Sequence, residues 1–161
     1  MTKEIALTKG FVTQVDDDMF DYLSQWRWIA HRGKCEIVYA IRTEVTREHL
    51  EQQIHMHRVI IGAQPMQEVD HINRKSLDNQ RANLRICTRK ENSRNRKVPC
   101  NNHSGYLGVS WCRRDHRWRA TIKCDGVFYS LGYFHSPEDA ARAYNKAAMW
   151  YFGEFANLNE V

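Results

Sequence analysis

The sequence contains no Cys-x-x-Cys pair, and its five cysteines (Cys35, Cys87, Cys100, Cys112 and Cys124) are an odd number, widely spaced. That argues against a structural zinc ribbon and a disulfide framework, and for reduced thiols in a cytoplasm. No apolar run approaches the roughly 20 residues a membrane-spanning helix needs, so no membrane partner is expected. Met1-Thr2-Lys3-Glu4 lacks the apolar core of a secretory signal, which again points to a cytoplasmic protein. Acids are scarce in one stretch. From Arg74 to Lys123, fourteen Lys/Arg stand against three acids (Asp78, Glu91, Asp115), a balance of +11. The remainder holds ten bases and sixteen acids, a balance of −6. Crowded like charges repel unless an anion joins them, and a basic stripe on an otherwise acidic chain is the footprint of a nucleic-acid face. The 161 residues suffice for one ordinary domain or two small ones.

What is present is densest at Val69-Asp70-His71-Ile72-Asn73, read together with Asn83 and Asn92. A polar turn from Asn73 to Asn79 leads into the strand-like run Ala82-Asn83-Leu84-Arg85-Ile86-Cys87. Thr88 with Glu91 three positions on forms a capping box, which places Asn92 in the first turns of a helix. The order is strand, long turn, strand, helix, and it can carry Asp70 and His71 toward Asn92. A carboxylate is a hard oxygen ligand and an amide carbonyl a neutral second one, a sparse set that suits Mg²⁺. The neighbouring imidazole, ordinarily with a pKa of about 6.5, can accept a proton near neutral pH. Alone, the Asp-His pair is equally compatible with a histidine capped in an inert turn.

The constellation resembles the signature of the HNH endonucleases. The middle asparagine lies twelve residues after His71, and Asn92 lies nine further on. The flanks match as well: Asp-His-Ile-Asn, Leu-Asp-Asn at 77–79, Ala-Asn-Leu-Arg, and Glu-Asn-Ser-Arg-Asn at 91–95. The resemblance implies Asp70 and Asn92 as ligands of one Mg²⁺ (or Mn²⁺) per active site and His71 as general base. It implies Asn83 as a clamp that fixes the turn and orients the imidazole. Arg85, Arg89 and Arg94 are candidates to hold the scissile phosphate.

Residues 1–62 read as a small α+β cap. Two strands flank Lys9-Gly10. Asp16-Asp17-Asp18 open a short helix, where acids suit the macrodipole better than a metal cluster does, with Met19, Tyr22 and Leu23 inward. Trp26–Ala30 and Ile37–Ile41 alternate as strands around a turn at Arg32-Gly33-Lys34, with Trp26 and Trp28 on one core face. The polar stretch 47–53 does not discriminate between strand, helix and loop. The apolar run 54–62 ends at a helix-terminating Gly62. His55 and His57 there could be metal ligands on a shared strand face, but a structural or phosphate-contacting His57 is the expectation, since this segment packs beside the motif in similar phage-type proteins.

After Asn92 a basic, proline-containing stretch reads as a linker at 98–104. Residues 105–161 then give three strands and a helix. In the second strand Trp118, Ala120 and Ile122 share one face, and Arg117, Arg119, Thr121 and Lys123 the other. Asp125-Gly126 marks a hairpin. Ser136-Pro137-Glu138-Asp139 starts a helix with its N-cap, proline and first-turn acids in place.

This unit resembles the DNA-binding domain of plant ethylene-responsive (APETALA-type) transcription factors, which also occurs in phage HNH proteins. The matching residues are Gly108-Val109, 118–123, Leu131-Gly132-Tyr133-Phe134, 140–144 and Ala156-Asn157-Leu158-Asn159. The resemblance implies a sheet that enters the major groove by its helix-free face, here offering Ser110, Arg117, Arg119, Thr121 and Lys123, with Arg113 and Arg114 at the tip. Arginine is common in that family where this chain has Ser110 and Cys112, so base preference does not carry over.

The expected fold class is therefore α+β. A ββα-metal (HNH) nuclease module with its cap occupies 1–97, and a three-stranded antiparallel sheet packed on one helix occupies 105–161. The expected function is a divalent-metal-dependent endonuclease acting on double-stranded DNA as a monomer or homodimer. Such phage-type proteins are often nicking or homing enzymes working in the host cytoplasm. The alternatives are a non-catalytic DNA-binding regulator and a structure-specific RNA binder.

Overall fold

The computed structural model describes residues 1–33, 36–46, 50–95, 98 and 102–161. Lys34 of the expected turn, Cys35 and Cys100, residues 47–49, and 96, 97 and 99–101 around the expected linker lie outside the described residues. Among the described residues the architecture is mixed α/β, with four small sheets and few helices. It divides into two units, Met1–Asn92 and Ser93–Val161.

In the first unit, β1 (Thr2–Ala6) pairs antiparallel with β2 (Val12–Asp16). Helix α1 (Asp17–Leu23) follows directly, and the three acids at its start each have a partner. Asp16 accepts from the Arg81 backbone N–H at 2.8 Å, Asp17 pairs with Lys3 at 2.7 Å, and Asp18 pairs with Arg81 at 2.7 Å. Leu23 is buried as expected, but Tyr22 is exposed and meets Trp26 edge-on with ring centroids 4.9 Å apart.

The expected strand at 26–30 is displaced. β3 runs Ile29–Arg32 and pairs with β4 (Val38–Val45), which pairs with β5 (Glu51–His55). The two tryptophans precede β3 instead of sharing one of its faces. Trp28 is 2 % exposed because its indole N–H donates to the Leu23 carbonyl at 2.8 Å, so the polar end is satisfied at the end of α1. Helix α2 (Met56–Ile61) then starts directly after β5, and Gly62 ends it. His55 therefore closes a strand while His57 sits on a helix, and the two do not share a strand face. Val15, Leu23, Trp28, Met56 and Leu84 fill the core.

β6 (Glu68–His71) pairs antiparallel with β7 (Leu84–Cys87), and the one-turn helix α3 (Arg89–Asn92) follows. The expected capping box is in place: Glu91 accepts from the Thr88 N–H at 2.8 Å, and Thr88 Oγ1 accepts from the Glu91 N–H at 3.3 Å.

In the second unit the strands are β8 (Val109–Cys112), β9 (Arg117–Cys124) and β10 (Val127–Phe134), all antiparallel with β9 central. Helix α4 (Pro137–Phe152) lies on one face. Its Ala140, Ala141 and Ala148 are fully buried, against Ala120 and Ile122 on the sheet. Small side chains let the helix axis approach closely. Gly108 does the same for the chain entering β8: at φ +70° a Cβ there would stand 2.1 Å from the Tyr144 ring. That left-handed position delays the first strand to Val109. Asn159 closes the fold, bonding both the N–H and the carbonyl of Leu107 while its own backbone pairs with Asn145.

Candidate active site and nucleic-acid interface

Strand alternation sends Glu68 and Asp70 to one face of β6, and Val69 and His71 to the other. Opposite Asp70 in the register stands Arg85, whose Nε and Nη2 donate to Asp70 Oδ2 at 2.9 and 2.6 Å. Both side chains are largely buried, at 7 % and 13 % exposure. One turn into the helix region, Asn92 Nδ2 donates to Glu68 Oε2 at 2.7 Å. Glu68 thus draws Asn92 to the face of the ribbon that carries Asp70. Glu68 was not singled out in the sequence, although its i, i+2 spacing from Asp70 on a strand marks it as a face-mate.

His71 ends β6 and is buried on the other side. Its Nε2 lies 3.1 Å from Asn79 Oδ1. His57 meets its ring edge-on at 5.2 Å, and Tyr39 lies 6.4 Å away. Burial holds His71 below the ordinary histidine range, opposed by the Asn79 hydrogen bond and the negative charges of Asp70 and Asp78. Burial, with the charges of His71, His55 and Arg58, pushes His57 down to about 3, so it is a neutral ring. At 9 % exposure it is a wall beside His71, in keeping with the structural arm of the expectation. Burial above all pushes the Cys87 thiol up to about 11, which keeps it protonated.

Asn83 clamps the turn from both ends. Its Oδ1 accepts from the Asn73 N–H at 2.9 Å, and its Nδ2 donates to the Asp78 carbonyl at 2.8 Å. Its backbone carbonyl also accepts from the Ile72 N–H at 2.9 Å. With oxygen and nitrogen both spent on backbone, the amide is not the group that orients the imidazole. Asn79, 1 % exposed, does that instead. The arginines divide similarly. Arg85 is bound to Asp70. Arg94 belongs to the second unit, 3.7 Å from Asp125 and with its guanidinium 4.6 Å from the Phe152 ring centre. Arg89 is exposed on α3.

On the second unit, the register places Ser110 opposite Arg119, and Cys112 opposite Arg117, on the face away from α4. Arg119 and Lys123 are exposed, and Arg117 and Thr121 half-buried. Arg113 and Arg114 are exposed in the β8–β9 turn, where Arg114 is 3.2 Å from Asp115. β10 adds two aromatics to this face: Phe128 opposite Lys123 and Tyr133 opposite Arg119, 68 % and 45 % exposed. The Lys123 ammonium lies 4.9 Å from the Phe128 ring centre. These rings were not among the expected site residues: they lie five positions apart, which period-two alternation would send to opposite faces, and the register shift between Ser130 and Gly132 brings both to this one.

Residues 55–94 match the family of HNH endonucleases. The chain is 29 % identical over 154 residues to an HNH endonuclease of Acanthamoeba polyphaga mimivirus, covering 95 % of this chain and 77 % of that one. It is 41 % identical over 58 residues to Protein 3.8 of Escherichia phage T7, over 36 % of this chain and 48 % of that one. A third similarity, 38 % over 68 residues, is to an AP2-like ethylene-responsive transcription factor of Arabidopsis thaliana, over 42 % of this chain and 14 % of the plant protein.

Proposed function

We propose that the chain is a divalent-metal-dependent DNA endonuclease whose N-terminal unit hydrolyses a phosphodiester bond and whose C-terminal sheet binds duplex DNA. The observation that carries this reading is the arrangement inside the family-matched segment: Glu68 draws Asn92 to the face bearing Asp70, and the imidazole of His71 is held at the end of the same strand. A DNA phosphodiester is shielded by its own charge. Its hydrolysis needs a positioned water, a base for the proton and positive charge near the leaving oxygen.

The donor chemistry fits Mg²⁺ or Mn²⁺. Asp70 and the Asn92 carbonyl are hard oxygens, and among the described residues no three His, Cys, Asp or Glu side chains converge into a complete cage. A partial protein shell finished by water and phosphate is how Mg²⁺ is usually held. Bound there, the ion would supply charge stabilisation to the phosphate and the leaving oxygen. Asp70 and Asn92 would hold it. Arg85 would keep the Asp70 carboxylate fixed, and Asn83 would keep the turn from displacing His71. His71 would take the proton of the attacking water. Burial below the usual histidine range keeps its ring neutral, and so able to accept, at neutral pH.

On the second unit, Arg117, Arg119 and Lys123 would track phosphates, with Ser110 and Thr121 toward base edges. One site per chain implies a nick in one strand, or a double-strand break when two chains act together. Purified protein with supercoiled plasmid and Mg²⁺ should yield open-circle DNA, and a chelator should stop it. Duplex binding with no conversion on any of a broad set of sequences would leave a DNA-binding protein and no nuclease.

A further inference from the structure

We propose that Thr13 and Asn79 form a buried relay that fixes His71 as its Nε2–H tautomer and leaves Nδ1 as the nitrogen that accepts the proton. This rests on His71 being the general base of the reading above. The relay begins outside the family-matched segment, on β2.

Thr13 is fully buried and its Oγ1 lies 2.8 Å from the Leu77 carbonyl. Asn79 Nδ2 lies 2.7 Å from the same Oγ1 and 3.8 Å from Met56 Sδ. The backbone braces this geometry: Gln14 N–H donates to the Leu77 carbonyl and Asn79 N–H to the Gln14 carbonyl, each at 2.8 Å. The turn that follows His71 is thereby stitched to β2 on both sides of the Asn79 side chain.

Two proton arrangements can satisfy this row. In the first, Thr13 O–H donates to Leu77 O, Asn79 Nδ2 donates to Thr13 Oγ1 and faces Met56 Sδ, and Asn79 Oδ1 accepts from His71 Nε2–H. In the second the amide is turned over. Thr13 then donates to the amide oxygen, the amide nitrogen donates to an unprotonated Nε2, and the hydroxyl bond to Leu77 and the contact with Met56 are both lost. The first keeps one more buried hydrogen bond, the hydroxyl's bond to a Leu77 carbonyl that also accepts from the Gln14 N–H, and the second arrangement gains no bond in exchange. It wins on that count. A neutral imidazole carries a single N–H, so an Nε2 donor makes Nδ1 the acceptor.

The consequence for the reaction is direct. When Nδ1 takes the water proton, the ring becomes a cation with two N–H groups, and Nε2–H goes on donating to Asn79 Oδ1 without rearrangement. The hydrogen bond that sets the tautomer also steadies the charge that forms. Thr13 and Asn79 are positioning residues, acting through His71.

The test is nitrogen NMR of the full-length protein, with the His71 ring signals identified by their loss in His71→Gln. At a pH where the ring is neutral, long-range nitrogen–proton correlations should show a protonated Nε2 and an unprotonated Nδ1. Thr13→Val, which keeps the shape and removes the hydroxyl, should introduce the opposite tautomer, and Thr13→Ser should retain the wild-type pattern. An Nδ1–H pattern in the wild type overturns the proposal, as does an unchanged pattern in Thr13→Val. If Thr13→Val does not fold, the wild-type and Thr13→Ser spectra still decide. The measurement needs neither DNA nor metal, so absence of cleavage would remove the nuclease reading while leaving the tautomer result standing.

Discussion

The side-chain amide of Asn92 donates to the carboxylate of Glu68 at 2.7 Å, tying α3 to the strand that carries Asp70. Removing a partner that orients a ligand typically lowers metal affinity or activity by about 10- to 100-fold. Glu68→Ala should therefore slow cleavage by about that factor, and Glu68→Gln, which can still accept, should lose less. Adding Asn92→Ala to Glu68→Ala should cost little beyond Asn92→Ala alone, because the two act as one unit. Single-turnover rates of wild type and the four variants check this.

Arg85 and Asp70 form a largely buried ion pair. Arg85→Ala removes the guanidinium from a buried carboxylate, which should destabilise the protein by about 3–5 kcal/mol. Replacing both with apolar residues, as in Arg85→Met with Asp70→Leu, should recover most of that loss. Urea unfolding distinguishes the two outcomes, independently of any activity.

His57 gives the first unit a pH dependence. Its pKa is lowered from 6.5 to about 3 in the folded chain, so protonation favours the unfolded state. The contribution is complete above pH 6.5 and is lost as pH falls from there toward 3, at up to about 1.4 kcal/mol per pH unit. His57→Phe should flatten stability over that window, as read by unfolding midpoints from pH 7 to pH 4.

On the proposed reading of the second unit, its exposed bases would contact phosphate and set the salt dependence of binding. Arg119→Ala and Lys123→Ala should each weaken duplex binding and lower the slope of log affinity against log salt by about 0.9. Phe128→Ala should weaken binding without changing that slope, because a ring displaces no counterion. Titrations at several salt concentrations separate the charge effect from the ring effect.

Much of this arrangement is legible in the residues because local rules fix it. The Thr88–Glu91 capping box, the Ser136 cap with its bond from the Asp139 N–H, and the alternation of β9 all appear where spacing put them. What escaped reading depends on contacts between distant segments. Trp28 leaves the strand because its indole finds the Leu23 carbonyl, and His57 sits on a helix because β5 stops at His55. Asn79 looked like turn punctuation. It faces His71 because Gln14, 65 positions earlier, clamps its backbone. Asn83 drew attention by its spacing, yet its amide is consumed by the turn it holds.

The most direct measurement of the central claim compares wild type with His71→Ala on one duplex substrate, with cleavage and gel-shift affinity recorded side by side in Mg²⁺. The expected result is affinity within about twofold of wild type and a cleavage rate lower by about 10²- to 10⁴-fold, the usual worth of a general base. A His71→Ala protein that cuts at the wild-type rate would contradict the account.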